Sequence, residues 1–140
     1  MTDASPFIRS QEADILQETI VIVEDDPANA EVLTLLLQLD GRYKTRSFGR
    51  ANDVLNSIDE IKSINPVLFV LDYSLPYMTG LELYHRLHAI QEFEEIPAIL
   101  LTAKTIRDDE KELIAQDHLF FVPKPYSIDH LLAIIQQATF

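Results

Sequence analysis

The sequence predicts an α/β domain with a five-stranded parallel sheet, doubly wound so that helices cover both faces. Four short apolar runs rich in Val, Ile, Leu and Phe stop at polar residues, as strands buried on both faces do. Segments with apolar residues at helical spacing separate these runs. Such alternation indicates parallel strands joined by right-handed crossovers.

The predicted elements follow one another with short connections. Proline precedes or opens two of the strands, and cap residues mark the start of two helices. The strands are predicted at Ile20–Glu24, Tyr43–Phe48, Val67–Leu71, Ala98–Leu101 and Leu119–Val122. The helices are predicted after Asp26, over one continuous stripe from Ala51 to Ile61, at Leu81–His88, at Arg107–Gln116, and after Ser127.

The first helix has the clearest boundaries. Asp26 can cap its N-terminus, Pro27 suits the first helical position, and Gly41 can end it in a left-handed conformation. The strand that follows carries Lys44 and Arg46, and charges of this kind suit an exposed edge. The strand order 2-1-3-4-5 places this strand at an edge and the most apolar strands inside.

Composition limits the classes of function. The chain has 140 residues, of which 47% are hydrophobic, so we expect a polar leader over residues 1–19 and one domain over residues 20–140. The absence of Cys excludes disulfides and thiolate metal sites. A net charge of −12 opposes binding to nucleic acid, and neither a membrane-spanning stretch nor a secretory signal is present. We therefore expect a cytoplasmic protein with no membrane or nucleic-acid partner.

Polar side chains follow the predicted strands at their carboxyl ends. Glu24 and Asp25 end strand 1, Asp72 ends strand 3, Thr102 ends strand 4 and Lys124 follows strand 5. Because ligands of open parallel sheets bind outside these ends, the acids should face each other across the switch point between strands 1 and 3. This layout suits a divalent cation beside a carboxylate that accepts a phosphoryl group.

Four segments in this order resemble the receiver domain of two-component response regulators, over about residues 20–137. They are Val21–Pro27, Leu71–Gly80, Leu101–Ala103 and Lys124–Tyr126. Each segment alone is weakly specific, but the four together, each at a strand end, are highly specific. The resemblance implies the flavodoxin-like strand order of chemotaxis receivers.

The resemblance also implies a role for each residue of the acidic edge. Asp72 would be the phosphoacceptor, and Lys124 would contact the phosphate. Mg²⁺ would be held by Asp25 and Asp72, by Glu24 through water, and by the backbone carbonyl of Ser74. These few protein ligands suffice because Mg²⁺ keeps several of its waters. Catalysis would be limited to phosphorylation of the protein itself and slow autodephosphorylation.

The family resemblance further implies a conformational switch. Thr102 would be the switch hydroxyl and Phe121 the switch aromatic, and the Lys124–Pro125 bond would be cis. Phosphorylation would change the surface formed by the fourth helix, strand 5 and the last helix. A sensor histidine kinase or a histidine phosphotransfer protein would supply the phosphoryl group. A downstream protein, or a second copy in a weak homodimer, would bind the changed surface.

Three other functions compete with this interpretation. An FMN carrier would need a loop rich in glycine and hydroxyl groups after strand 1, where Glu24 to Pro27 would repel a phosphate. A phosphatase of the haloacid dehalogenase type needs a second acid two residues after its nucleophile, and Ser74 occupies that position. A receiver-like interaction module that functions without phosphorylation remains open at this stage.

Overall fold

The computed structural model describes residues 17–103 and 118–139. In this part of the chain the strands are β1 (Thr19–Val23), β2 (Lys44–Phe48), β3 (Pro66–Asp72), β4 (Ala98–Thr102) and β5 (Leu119–Pro123). The helices are α1 (Pro27–Asp40), α2 (Ala51–Leu55), α3 (Ile58–Ser63), α4 (Gly80–His88) and α5 (Ile128–Thr139), with a 3₁₀ turn at Gln91–Phe93.

The five strands form one parallel sheet in the order β2-β1-β3-β4-β5. The predicted fold class and strand order are therefore confirmed. Val23 of β1 pairs with Leu71 of β3, and Asp72 pairs with Leu101 of β4. Because of this register, the carboxyl ends of the three central strands lie side by side, and the residues that follow them share one edge.

Side chains of the central strands alternate between two cores. One core contains Val21, Phe69 and Leu100 and is covered by α2, α3 and α4. The other contains Ile20, Val70 and Ile99 and is covered by α1 and α5. Both faces are buried, which explains why these strands are continuously apolar in sequence.

The boundaries of α1 are those that the sequence predicts. The side chain of Asp26 accepts a hydrogen bond from the backbone N–H of Ala28 at 3.0 Å. At the other end, Gly41 has a φ of 78° and donates its N–H to the carbonyl of Leu37. Only Leu33 and Leu37 of this helix are fully buried, whereas Leu39 is 83% exposed.

The predicted continuous helix from Ala51 to Ile61 is wrong, because the chain forms two short helices here. α2 ends at Leu55 and α3 begins at Ile58. Between them, the N–H of Ser57 bonds to the carbonyl of Val54, three residues back, so the last turn tightens. Asn56 and Ser57 are residue types that favour turns over helix interiors. The apolar stripe survives the break, since Val54 and Ile61 are both fully buried.

Two sequence predictions lie outside the described residues. They are the helix at 107–116 and the polar leader, of which only residues 17–19 are described. Among the residues that the structure describes, no helix combines the length and the apolar character needed to cross a membrane.

Candidate functional site

Three carboxylates meet at the carboxyl ends of β1 and β3. Glu24, Asp25 and Asp72 each offer an oxygen, and these oxygens lie within 4.8 Å of one another. Glu24 and Asp72 are 4% and 7% exposed, whereas Asp25 is open to solvent. The neighbouring positions of β1 and β3 bring the three acids together, as the sequence predicts.

Lys124 supplies the positive charge at this edge. Its Nζ lies 3.4 Å from Oδ1 of Asp72 and 3.5 Å from Oε1 of Glu24. Its backbone N–H donates to the carbonyl of Thr102 at 2.7 Å, which ties Lys124 to the end of β4. The bond between Lys124 and Pro125 is cis. Partial burial alone would lower the pKa of Lys124, but the carboxylates of Asp72 and Glu24 outweigh this effect and raise it.

Among the described acids, Glu24 has the pKa that departs most from its ordinary value. Burial of its carboxyl group, followed by the adjacent carboxylate of Asp72, raises its pKa from 4.5 to about 7, against the opposing attraction of Lys124. Its Oε2 atom is buried and has no hydrogen-bond partner among the described residues. An ionised carboxylate with a buried, unbonded oxygen lowers the stability of the fold unless a cation or a proton neutralises it.

The loop after β3 packs closely against Asp72. The N–H of Ser74 donates to Oδ1 of Asp72 at 3.2 Å, so the serine lies beside the acid. The N–H of Gly80 donates to the carbonyl of Tyr73 at 2.8 Å, and the hydroxyl of Thr79 caps α4. These contacts turn the chain back from the end of β3 into α4, and they leave a cleft of about 400 Å³ beside Asp25 and Ser74.

The two predicted switch residues occupy neighbouring strands. Thr102 ends β4 and is 1% exposed, and it pairs with Pro123 of β5. Phe121 is half-buried on β5 and pairs with Leu100. Thr102 therefore lies at the edge that carries Asp72, whereas Phe121 lies two residues further back along β5.

Tyr126 belongs to this edge, although sequence reasoning gave it no role. Burial, the largest influence, raises the pKa of its phenol. With Glu24 and Lys124 it lines a cavity of about 470 Å³ between α1 and the loop after β5. The only feature of the sequence that could have indicated its place at this edge is its position directly after Lys124–Pro125.

The donor set fits a divalent cation that prefers oxygen. Three carboxylates converge within the span of one coordination sphere, and the buried Oε2 of Glu24 accepts no hydrogen bond from any described residue. Within residues 17–103 and 118–139, the ammonium group of Lys124 faces two buried carboxylates, so this part of the site carries excess negative charge.

Comparison with known proteins identifies this arrangement. The family model of the response regulator receiver domain matches residues 20–136. The chain belongs to this family. Receiver domains are signalling domains of two-component systems, and they interact with histidine kinases or phosphotransfer proteins.

Individual relatives resemble this receiver domain over most of its length. The probable transcriptional regulatory protein TcrX of Mycobacterium tuberculosis is 32% identical over 114 residues, which cover 81% of this chain and 46% of TcrX. The polar-differentiation response regulator DivK of Brucella ovis is 27% identical, over 86% of this chain and 95% of DivK. The chain spans about half the length, or less, of the first curated relatives it matches.

A solved structure shows the same fold. The receiver domain of the sensor histidine kinase PA1611 from Pseudomonas aeruginosa aligns with a TM-score of 0.71 and 24% identity, over 86% of this chain and 96% of that one. That structure has a magnesium ion coordinated in its active site cleft.

Proposed function

We propose that this receiver domain is a phosphorylation-dependent switch in which Asp72 accepts the phosphoryl group. The observation that carries the proposal is the position of the Asp72 carboxylate. It ends the central strand β3, lies among the acids Glu24 and Asp25, and is 3.4 Å from the ammonium group of Lys124. A sensor histidine kinase or a histidine phosphotransfer protein is the proposed donor, in the cytoplasm.

In the transfer step, a carboxylate oxygen of Asp72 forms a bond to phosphorus. The bond between phosphorus and the donor breaks, and the leaving group keeps the electron pair. Lys124, already within ion-pair distance of Asp72, neutralises the charge on the phosphoryl oxygens. The product is an aspartyl phosphate, a known type of covalent intermediate.

Glu24, Asp25 and Asp72, with the backbone carbonyl of Ser74, would hold Mg²⁺. Two observations support this assignment: Oε2 of Glu24 is buried without a hydrogen-bond partner in the described part of the chain, and the three carboxylates converge. Mg²⁺ held by these residues would neutralise phosphoryl charge, so the acids and the incoming phosphate could share one site.

The proposed output is a change of surface. The hydroxyl of Thr102 donates to the new phosphoryl oxygens, and Phe121 enters the space that Thr102 leaves. The surface of β5 and α5 then changes between two states and binds a downstream protein or a second copy, and the proposal extends to the helix that the sequence predicts at 107–116, which lies outside the described residues. Turnover is limited to phosphorylation of the protein itself and its slow reversal.

The test is incubation with acetyl phosphate and Mg²⁺, followed by intact mass spectrometry. We expect about one phosphoryl group per chain, and none in Asp72→Asn. Asp59→Asn is the matched control, because Asp59 is an exposed carboxylate on α3, away from the acidic edge. Equal labelling of the wild type and Asp72→Asn would refute the assignment. Absence of labelling in the wild type would favour an interaction module that works without phosphorylation.

A further inference from the structure

Gly80, the first residue of α4, packs directly against the backbone of the phosphoacceptor. A Cβ atom at this position would lie well under 3.0 Å from the carbonyl oxygen of Asp72. It would also lie 3.0 Å from the carbonyl carbon of Asp72 and 3.1 Å from Cα of Tyr73. All three neighbours are backbone atoms, so no side chain can rotate away to make room. Any residue with a side chain at position 80 would therefore clash with the backbone of Asp72, and only glycine fits.

The helix cannot easily move away from Asp72. Leu83 and Leu87 anchor α4 in the core with no exposed surface. The hydrogen bond from Gly80 N–H to the carbonyl of Tyr73, at 2.8 Å, ties the start of the helix to the residue after the acid. Because the interior is close-packed, a methyl group at position 80 would force the end of β3 and the start of α4 apart, and the backbone of Asp72 would shift with them.

The contacts of the Asp72 carboxylate are sensitive to such a displacement. Its Oδ1 lies 3.2 Å from the N–H nitrogen of Ser74 and 3.4 Å from Nζ of Lys124. Both distances are long for a hydrogen bond, so a movement of about half an ångström in the wrong direction would break the bond from Ser74 and weaken the contact with Lys124.

We propose that Gly80 is a positioning residue for phosphoryl transfer: its lack of a side chain lets α4 close onto Asp72 and fixes the carboxylate relative to Ser74 and Lys124. This inference rests on the proposed function of Asp72. The φ of Gly80 is not in the left-handed region, so conformational freedom does not explain why glycine occupies this position. The close contact with Asp72 gives a functional reason instead.

The test compares Gly80→Ala with two matched controls. Gly49→Ala adds the same methyl group where nothing lies within 4 Å. Leu87→Val disturbs the packing of the same helix far from Asp72. For each protein, two quantities are measured at a temperature where circular dichroism shows full folding. They are the rate of labelling by acetyl phosphate and the Mg²⁺ concentration that gives half of the rise in Tm.

We expect Gly80→Ala to be labelled about 10-fold more slowly or worse, because a misplacement well below 1 Å already impairs catalysis. Its half-effect Mg²⁺ concentration should rise, whereas both controls should stay within about twofold of the wild type. If Gly80→Ala is incompletely folded in buffer, all proteins are compared in sucrose, which favours the compact state.

Equal behaviour of Gly80→Ala and Leu87→Val would overturn the proposal, because general destabilisation would then explain the effect. Failure of Gly80→Ala to fold even in sucrose would overturn it too, since the glycine would then serve the fold as a whole. If the wild type is not labelled but its Mg²⁺ response is lost in Gly80→Ala, the positioning role holds for the cation site while phosphoryl transfer fails.

Discussion

Replacing Glu24 by Gln should change how the stability of the protein depends on pH. The carboxyl group of Glu24 has a pKa of about 7 in the folded chain, against an ordinary value of 4.5. Since each tenfold change in a protonation equilibrium is worth about 1.4 kcal/mol, ionising Glu24 costs the metal-free fold about 3 kcal/mol. Glutamine keeps the shape of the protonated acid and removes this cost.

The direction of the effect follows from proton binding. Below about pH 4.5 the carboxyl group is neutral in both states and costs nothing. Between its ordinary and its folded pKa the native state binds more protons than the unfolded state, so stability falls as the pH rises. Above the folded pKa the cost is complete. Among the described residues, no other resolved pKa shift has its effect in this range. The raised values act at higher pH, in Lys124, Tyr126, Arg42 and Arg46, and the lowered values act at lower pH, in Glu60 and Glu92.

The assay is urea unfolding in the presence of EDTA at about pH 5 and about pH 8. The wild type should lose up to about 3 kcal/mol of unfolding free energy between these values, and Glu24→Gln should lose much less. Glu60→Gln is the control, because Glu60 is exposed and ion-paired with Arg46. Its loss should match that of the wild type.

Saturating Mg²⁺ should remove most of the pH dependence from the wild type, because the cation stabilises the ionised form of Glu24. It should have little effect on the slope of Glu24→Gln. An unchanged slope in metal-free Glu24→Gln would refute the reasoning, because burial beside Asp72 would then not raise the pKa of Glu24.

Three further substitutions test separate parts of the structure. Lys124→Ala leaves two buried carboxylates without their cation. It should therefore lower the free energy of unfolding by about 1–3 kcal/mol, measured in urea at neutral pH without metal, and it should slow labelling by acetyl phosphate. Unchanged stability would show that the two ion pairs are weak. Tyr77→Gly should raise the unfolding free energy by about 0.5–1 kcal/mol, because Tyr77 is fully exposed and has a φ of 67°; a loss of stability would show that the tyrosine ring makes a useful contact. Gly41→Ala should cost about 1 kcal/mol, because φ is 78° at this helix end; Gly49→Ala is its control, and equal losses would contradict the argument.

The sequence was sufficient to predict those features that depend on interactions between residues close together in the chain. Asp26, Pro27 and Gly41 define the ends of α1 through capping and backbone conformation, which act over a few residues. Continuous apolar runs indicated parallel strands, and the polar residues at their ends indicated which side chains would meet. Glu24, Asp25, Asp72 and Lys124 lie together for this reason.

Features that depend on packing were not predictable. The break between α2 and α3 leaves the apolar stripe intact, so periodicity alone does not reveal it. The raised pKa of Glu24 depends on burial, and its neighbour Asp25 is exposed although the two are adjacent in sequence. The close approach of Gly80 to Asp72 depends on how α4 docks onto the end of β3.

The most direct test of the central claim is chemical trapping of the phosphorylated residue. Borohydride reduces an aspartyl phosphate to homoserine, so peptide mapping after treatment with acetyl phosphate and Mg²⁺ identifies the acceptor by its mass. The proposed chemistry predicts homoserine at position 72, which disappears when the phosphodonor is omitted. Homoserine at another aspartate, or labelled protein without homoserine at position 72, would contradict the account.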